Sequence, residues 1–133
     1  MQSPTETLAT RSGSCRDYAT LFIEACRYLG FAARFVSGYL HSPTTVRGEG
    51  STHAWSEVYL PGAGWKGFDS TSGCVVGHDH IAVAVSRHPE AIPPVCGSFA
   101  ASTPQNPVMK VSVQVSEIET RADETVKEES AIE

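Results

Sequence analysis

Between Ser14 and Leu29 the apolar residues recur at helical spacing. Cys15, Ala19, Phe22, Cys26 and Leu29 are 4, 3, 4 and 3 residues apart, which places them on one face. Ser14 is suited to cap the start, Asp17 lies in the first turn, and Gly30 follows the last apolar position. From Phe31 the period shortens to two. Phe31–Leu40, Thr52–Leu60, Trp65–Thr71, His80–Arg87 and Val108–Ile118 are rich in β-branched and aromatic residues and predict strands. In the last two, Ile81, Val83 and Val85, then Val111, Val113 and Val115, are expected to face one way. Residues 41–51 and 72–79 read as loops, and Pro61-Gly62-Ala63-Gly64 as the turn of a hairpin. Residues 88–107 hold five prolines and read as irregular. Residues 1–13 form a loose lead-in with a short helical turn near Thr5–Arg11.

One helix on an antiparallel sheet of about five strands is an α+β domain. The length of 133 residues fits one such domain with a core of its own. No apolar run approaches the ~20 residues that span a bilayer, so no membrane association is expected. The first residues lack a charged segment followed by an apolar one, so no signal peptide is expected and the location is read as cytoplasmic. Reduced thiols are then the default for Cys15, Cys26, Cys74 and Cys96, whose spacing matches no common zinc pattern.

Charge changes the picture in one place. Residues 117–133 carry seven acidic and two basic side chains and so hold the whole formal net charge of −5. Residues 1–116 balance, which leaves no basic field for nucleic acid. The chain is therefore divided into the lead-in 1–13, a core 14–118 and an acidic tail 119–133 expected to be disordered.

The candidate chemistry begins with Cys15. It lies at the first turn of the expected helix, where unpaired N–H groups and a partial positive charge favour thiolate and can bind an oxyanion. A small buried hydrophobe on the apolar face is the competing role. A thiol nucleophile needs an imidazole. Of five histidines, His53 alone opens a long alternating strand, sharing a face with Trp55, Glu57 and Tyr59. A solvated surface face would carry the same pattern. Asp69 lies on the return strand of the hairpin. A two- or four-residue loop would pair it with Ser56, on the face away from His53. A three- or five-residue loop would put it opposite Trp55 and diagonal to His53, within reach of its ring. The alternation fits both registers. His78-Asp79-His80 has the look of a two-ligand metal strand, but no further ligand has the required spacing, so a polar loop entering a strand is preferred and no metal or other cofactor is expected.

Four blocks occur in order: Gly13-Ser14-Cys15-Arg16-Asp17-Tyr18-Ala19; Ala33 to Leu40 with its Val-Ser-Gly-Tyr-Leu; His53-Ala54-Trp55-Ser56-Glu57-Val58; and Gly64-Trp65 to Phe68-Asp69-Ser70-Thr71. Together they resemble the bacterial transglutaminase-like superfamily over roughly residues 5–115. Asp79-His80-Ile81 through Val85, and Pro94-Val95, also resemble family sequence. The resemblance implies a papain-like fold of the cysteine-protease type, with Cys15 as nucleophile, His53 as general base and acid, and Asp69 as the carboxylate that orients His53. It also implies the hairpin register that puts Asp69 on the face of His53. Gly13, Trp55 and Trp65 are expected to line the substrate cleft. Longer members carry further structure upstream of the cysteine, so Thr5–Ala9 reads as the remnant of a missing region. Arg87-His88-Pro89-Glu90 departs from the acidic-aromatic run of many relatives. The activity implied is thiol-dependent acyl transfer on a peptide or protein amide, either hydrolysis or transfer to an amine. A non-catalytic interaction module on the same fold is the alternative.

Overall fold

The computed structural model describes residues 1–41, 51–98, 100, 108 and 110–115. The lead-in is a helix rather than a loose turn: α1 spans Pro4–Thr10. Ser3 Oγ accepts the Glu6 N–H at 3.2 Å, proline occupies the first turn, and Arg11 ends the helix in the left-handed region. Thr7 is buried against the next helix.

α2 spans Cys15–Tyr28 and opens with a capping box. Ser14 Oγ takes the Asp17 N–H, and Asp17 Oδ2 takes the Ser14 N–H at 2.8 Å. Asp17 Oδ1 also accepts the Gln2 N–H at 2.8 Å, which ties the start of the chain to the start of α2. At the other end Gly30 adopts φ +89°, and the N–H groups of Gly30 and Phe31 return to the carbonyls of Arg27 and Cys26. The buried stripe is centred on Ala19 and Ile23, with Cys15, Phe22 and Cys26 beside it. Leu29, expected on that stripe, is the C-cap residue just past the end of α2 and is 70% exposed.

Five antiparallel strands follow: β1 Ala33–Leu40, β2 Ser51–Leu60, β3 Gly64–Asp69, β4 Cys74–Val75 and β5 His80–Ser86, in the spatial order β4-β3-β2-β1-β5. The fold is thus α+β, helices packed on an antiparallel sheet. The fifth strand differs from expectation. Residues 110–115 carry only an isolated bridge at Gln114, and Val111 is 62% exposed, so alternation there does not mark a buried strand. The two-residue β4 takes its place. Residues 116–118 and the tail 119–133 lie outside the described residues.

α2 covers the face of Ala33, Phe35, Ala54 and Val58. Full burial of a side chain such as Phe35 or Ile23 contributes about 1.5–3 kcal/mol. Ser56 is also wholly buried on this face, and its hydroxyl donates to the Ala19 carbonyl at 3.0 Å. The opposite face of β2 carries His53 and Trp55.

Two irregularities shape that second face. The β2–β3 loop is Pro61-Gly62-Ala63, since Leu60 pairs with Gly64 and Ser56 with Phe68. Gly62 and Gly64 have φ of +82° and +74°, which a three-residue hairpin loop requires. Between β1 and β5 the register slips at Ser37/Gly38. Ile81 therefore pairs with Tyr39 but Val85 with Val36, so the two face opposite ways, contrary to the simple alternation. Gly38 lies at the slip, and a Cβ there would sit 2.0 Å from the Ile81 carbonyl oxygen.

Candidate active site

Cys15 is the first residue of α2 and is half-buried. Its thiol lies against the His53 ring and also faces the backbone N–H groups of Ala54 and Arg16. The β2–β3 ladder stops at Ser56 and Phe68, so Ala54 lies past the last paired rung. The His53 hydrogen bond is the main influence that lowers the thiol pKa. Burial opposes it, while the charge of His53 and the two backbone donors add to it.

The three-residue loop sets the register that puts Asp69 beside His53. His53 Nε2 is 2.8 Å from Asp69 Oδ2, and both side chains are nearly enclosed. Burial alone would raise the Asp69 pKa. Hydrogen bonds from His53, Ser72, His80 and Thr71 outweigh it and hold the carboxyl far below the usual range. Oδ1 accepts the Thr71 N–H at 2.9 Å and the Ser72 N–H at 3.3 Å. Oδ2 accepts the Ser72 hydroxyl at 2.8 Å. An ionised carboxylate only accepts, so His53 Nε2 carries a proton and Nδ1 is left for the thiol. The His53 pKa is raised, first by the Cys15 hydrogen bond; burial, the next influence in size, opposes it, and the hydrogen bond and charge of Asp69 and the charge of Cys15 add to the rise. The contact between them draws the thiol pKa down and the imidazole pKa up, the direction that leads toward a thiolate–imidazolium pair.

The residues expected to line a cleft are placed differently from one another. Gly13 is packed into the α1–α2 junction, where a Cβ would meet Asp17 Cβ at 2.9 Å. Trp55 is 1% exposed and forms a floor beneath His53 and His80, its ring centroid 6.4 Å and 5.2 Å from theirs. Its indole N–H is buried without a partner among the described residues. Trp65 pairs with Tyr59, six residues along β2 from His53, or roughly 20 Å at strand rise. It stacks under Arg34 at that far end and takes no part in the Cys15–His53–Asp69 group.

Ser72 and His80 belong to the site and are absent from the expected set. Ser72 sits three residues after Asp69, the spacing of a side chain that turns back on an aspartate. In the sequence His80 stands out as part of His78-Asp79-His80 and of the Asp79-His80-Ile81 run, neither of which points to Asp69. Its Nε2 is 3.2 Å from Asp69 Oδ2 and its side chain is 7% exposed. Among the described residues, the nitrogens of His53 and His80 and an oxygen of Asp69 lie within 4.8 Å of one another, a set with the chemistry of a zinc site. The hydrogen bonds just described already satisfy these atoms without an ion.

Comparison with known proteins gives the arrangement a context. An uncharacterized protein of Mycobacterium tuberculosis is 37% identical over 119 residues, which cover 83% of this chain and 38% of that protein. The peptide-N(4)-(N-acetyl-beta-glucosaminyl)asparagine amidase of Rattus norvegicus is 39% identical over 59 residues, 44% of this chain and 7% of the amidase. The solved structure of a "Putative Cysteine Protease" from Cytophaga hutchinsonii matches with a TM-score of 0.57 and 32% identity over 67% of this chain and 29% of its own. The chain thus spans about two fifths or less of each relative's length. No helix among the described residues is long and apolar enough to cross a membrane. The model of the transglutaminase-like superfamily matches residues 1–70, from α1 through the hairpin that delivers Asp69, and the chain belongs to that superfamily.

Proposed function

We propose that the protein catalyses thiol-dependent acyl transfer on amide or peptide bonds through Cys15, His53 and Asp69. One observation carries the reading: the His53 ring stands between the other two, hydrogen-bonded through Nε2 to Asp69 at 2.8 Å and also in contact with the Cys15 thiol. In this mechanism the Cys15 thiolate attacks the amide carbonyl carbon. The backbone N–H of Cys15, at the first helical position, has no carbonyl of its own helix to bond and is placed to receive the oxyanion. The His53 imidazolium gives its proton to the leaving amine. Neutral His53 then takes a proton from the acceptor that attacks the thioester, and Cys15 leaves as thiolate. Water as acceptor gives a protease or amidase, and an amine gives a cross-link. Asp69 keeps the ring in place and stabilises the imidazolium. The names of the amidase and protease relatives support an amide substrate. Four free thiols fit a reducing compartment such as the cytoplasm.

The test is to trap the acyl-enzyme. Incubation with a library of peptides and amides, followed by mass spectrometry, is expected to give an adduct on the Cys15 peptide, absent in Cys15→Ser. Absence of any adduct, together with a Cys15 that alkylates at pH 6 no faster than Cys26, would sink the reading.

A further inference from the structure

His80 makes a contact that the sheet order alone would forbid. It opens β5, whereas Asp69 closes β3, and β2 and β1 lie between them. Three strand spacings amount to about 14 Å in a flat sheet. The two side chains nevertheless meet at 3.2 Å. The sheet therefore curls around Trp55, with the His80 ring edge-on to the indole at 5.2 Å. Two backbone bonds hold the approach segment in place, Val76 N–H to Gly67 carbonyl at 3.0 Å and His41 N–H to Asp79 carbonyl at 2.8 Å. Because the Asp69 carboxylate only accepts, His80 presents a protonated Nε2 to it. A long bond of 3.5 Å from the Gly77 N–H to His80 Nδ1 fits the same tautomer.

The other donors to Asp69, apart from His53, come from Thr71 and Ser72 in the turn that Asp69 itself begins. They move with it. Among the described residues, His80 alone reaches the carboxylate from a separate element without being a partner in the thiol pair. We propose that His80 is a positioning residue: it anchors Asp69 Oδ2 from across the curled sheet, so that the carboxylate stays aimed at His53 Nε2 while His53 moves its proton. This inference rests on the Cys15–His53 reading above. It adds a fourth member to the chain Cys15–His53–Asp69–His80. The ionisable groups facing this chain are Cys15 and Arg16 of α2, His53 of β2 and Asp69 of β3. Asp79, beside His80, is turned toward His78 and His41.

The experiment measures the pH profile of Cys15 alkylation by iodoacetamide in five variants. His80→Phe keeps an aromatic edge on Trp55 and removes the donor. It is expected to slow alkylation at pH 6 by roughly 3- to 10-fold, the range of one ordinary hydrogen bond, and to move the rise of the profile to higher pH. His80→Gln restores a donor at similar reach and is expected to stay within about 2-fold of the parent. In an Asp69→Asn background His80→Phe is expected to add little, because its route to the thiol runs through the carboxylate. His53→Ala serves as reference. If it leaves the profile unchanged, the Cys15–His53 reading fails and this inference with it. If His53→Ala shifts the profile but His80→Phe does not, this inference alone is overturned. It is also overturned if His80→Gln is as impaired as His80→Phe, or if the effect persists undiminished in Asp69→Asn. Should circular dichroism show His80→Phe unfolded, His80→Met against His80→Gln makes the same comparison without an aromatic ring.

Discussion

Two acid–base pairs lie on the same face of β2, four residues apart. His53–Asp69 closes at 2.8 Å with side chains 9% and 0% exposed, and Arg34–Glu57 closes at 2.6 Å with 34% and 21% exposed. Each is backed by a tryptophan, Trp55 under the first and Trp65 beside the second. The separations are alike and the surroundings are not. Asp69 has given up water for hydrogen bonds from His53, Ser72, His80 and Thr71, and the pair is joined to a thiol. Glu57 and Arg34 keep part of their hydration. Enclosure turns a charge pair into a tuned acid–base system, whereas exposure leaves one that water and salt can replace.

The sharpest way to break this contrast is at His53. His53→Ala is expected to raise the Cys15 pKa and slow its alkylation near neutral pH, and to reduce acyl transfer by about 10²- to 10⁴-fold, as loss of a general acid–base does. Cys26→Ser is expected to leave the Cys15 rate unchanged, because burial alone acts on Cys26 and pushes its thiol up. Alkylation kinetics read by mass spectrometry separate the two sites.

Asp69→Ala removes a partner shared by several buried groups and is expected to cost about 3–5 kcal/mol of stability. The pH dependence has a definite sign. Asp69 has a depressed folded pKa, so its contribution is complete above the unfolded value near 4 and is lost as pH falls toward the folded one. Cys15, also depressed, contributes fully above its unfolded pKa and loses that as pH falls through its lowered value. His53 is raised, so its contribution is complete below about 6.5 and is lost as pH rises through its folded pKa. Melting temperatures between pH 2 and 5 should fall more steeply in the parent than in Asp69→Asn, which has no carboxyl to titrate.

Much of this was legible in the chain, and the gaps have physical causes. A period of 3.6 marks α2 and a period of two marks β1, β2 and β3 because each buries one face over several residues. The hairpin register was open, since a shift of one residue preserves the alternation of both strands. Pro61-Gly62-Ala63 closes it through two glycine φ angles that composition permits but does not require. β4 is two residues long and has no period to detect. Val108–Ile118 has a strand's alternation, yet residues 110–115 join no ladder of the sheet. The contact of His80 with Asp69 is illegible in the sequence for a different reason. The two residues lie three strands apart, and only the curl around Trp55 brings them together. Sequence parity tells which face a residue takes, not how far that face bends.

The curl itself can be stressed at Gly38. A Cβ there would meet the Ile81 carbonyl oxygen at 2.0 Å and the Trp55 ring at 2.9 Å. The backbone oxygen cannot swing away as a side chain would. Gly38→Ala is expected to cost about 1–3 kcal/mol through overpacking. The strand displaced is β5, which carries His80, so Cys15 alkylation should slow along with the fall in melting temperature. A lower melting temperature with an untouched alkylation profile would show that the site tolerates movement of β5.

The smallest effects belong to the exposed pair. Glu57→Gln removes only the charge, and the pair it breaks is open enough that the expected loss is below about 1 kcal/mol. Arg34→Ala removes the charge and also the guanidinium that lies 4.1 Å over the Trp65 ring. That stacking is worth about 0.5–1 kcal/mol at an exposed site. The two variants should therefore differ, with Arg34→Ala the less stable. Salt separates the contributions further: raising ionic strength screens the Arg34–Glu57 attraction, so the Glu57→Gln deficit should shrink toward zero at 1 M salt. The Arg34→Ala deficit should shrink less, because the contact with Trp65 is partly packing rather than charge. Neither variant should move the pH profile of Cys15, whose partners lie at the other end of β2. If Glu57→Gln shifted that profile, the two pairs would be coupled along the strand, and enclosure could no longer explain why one end of β2 is tuned and the other is not.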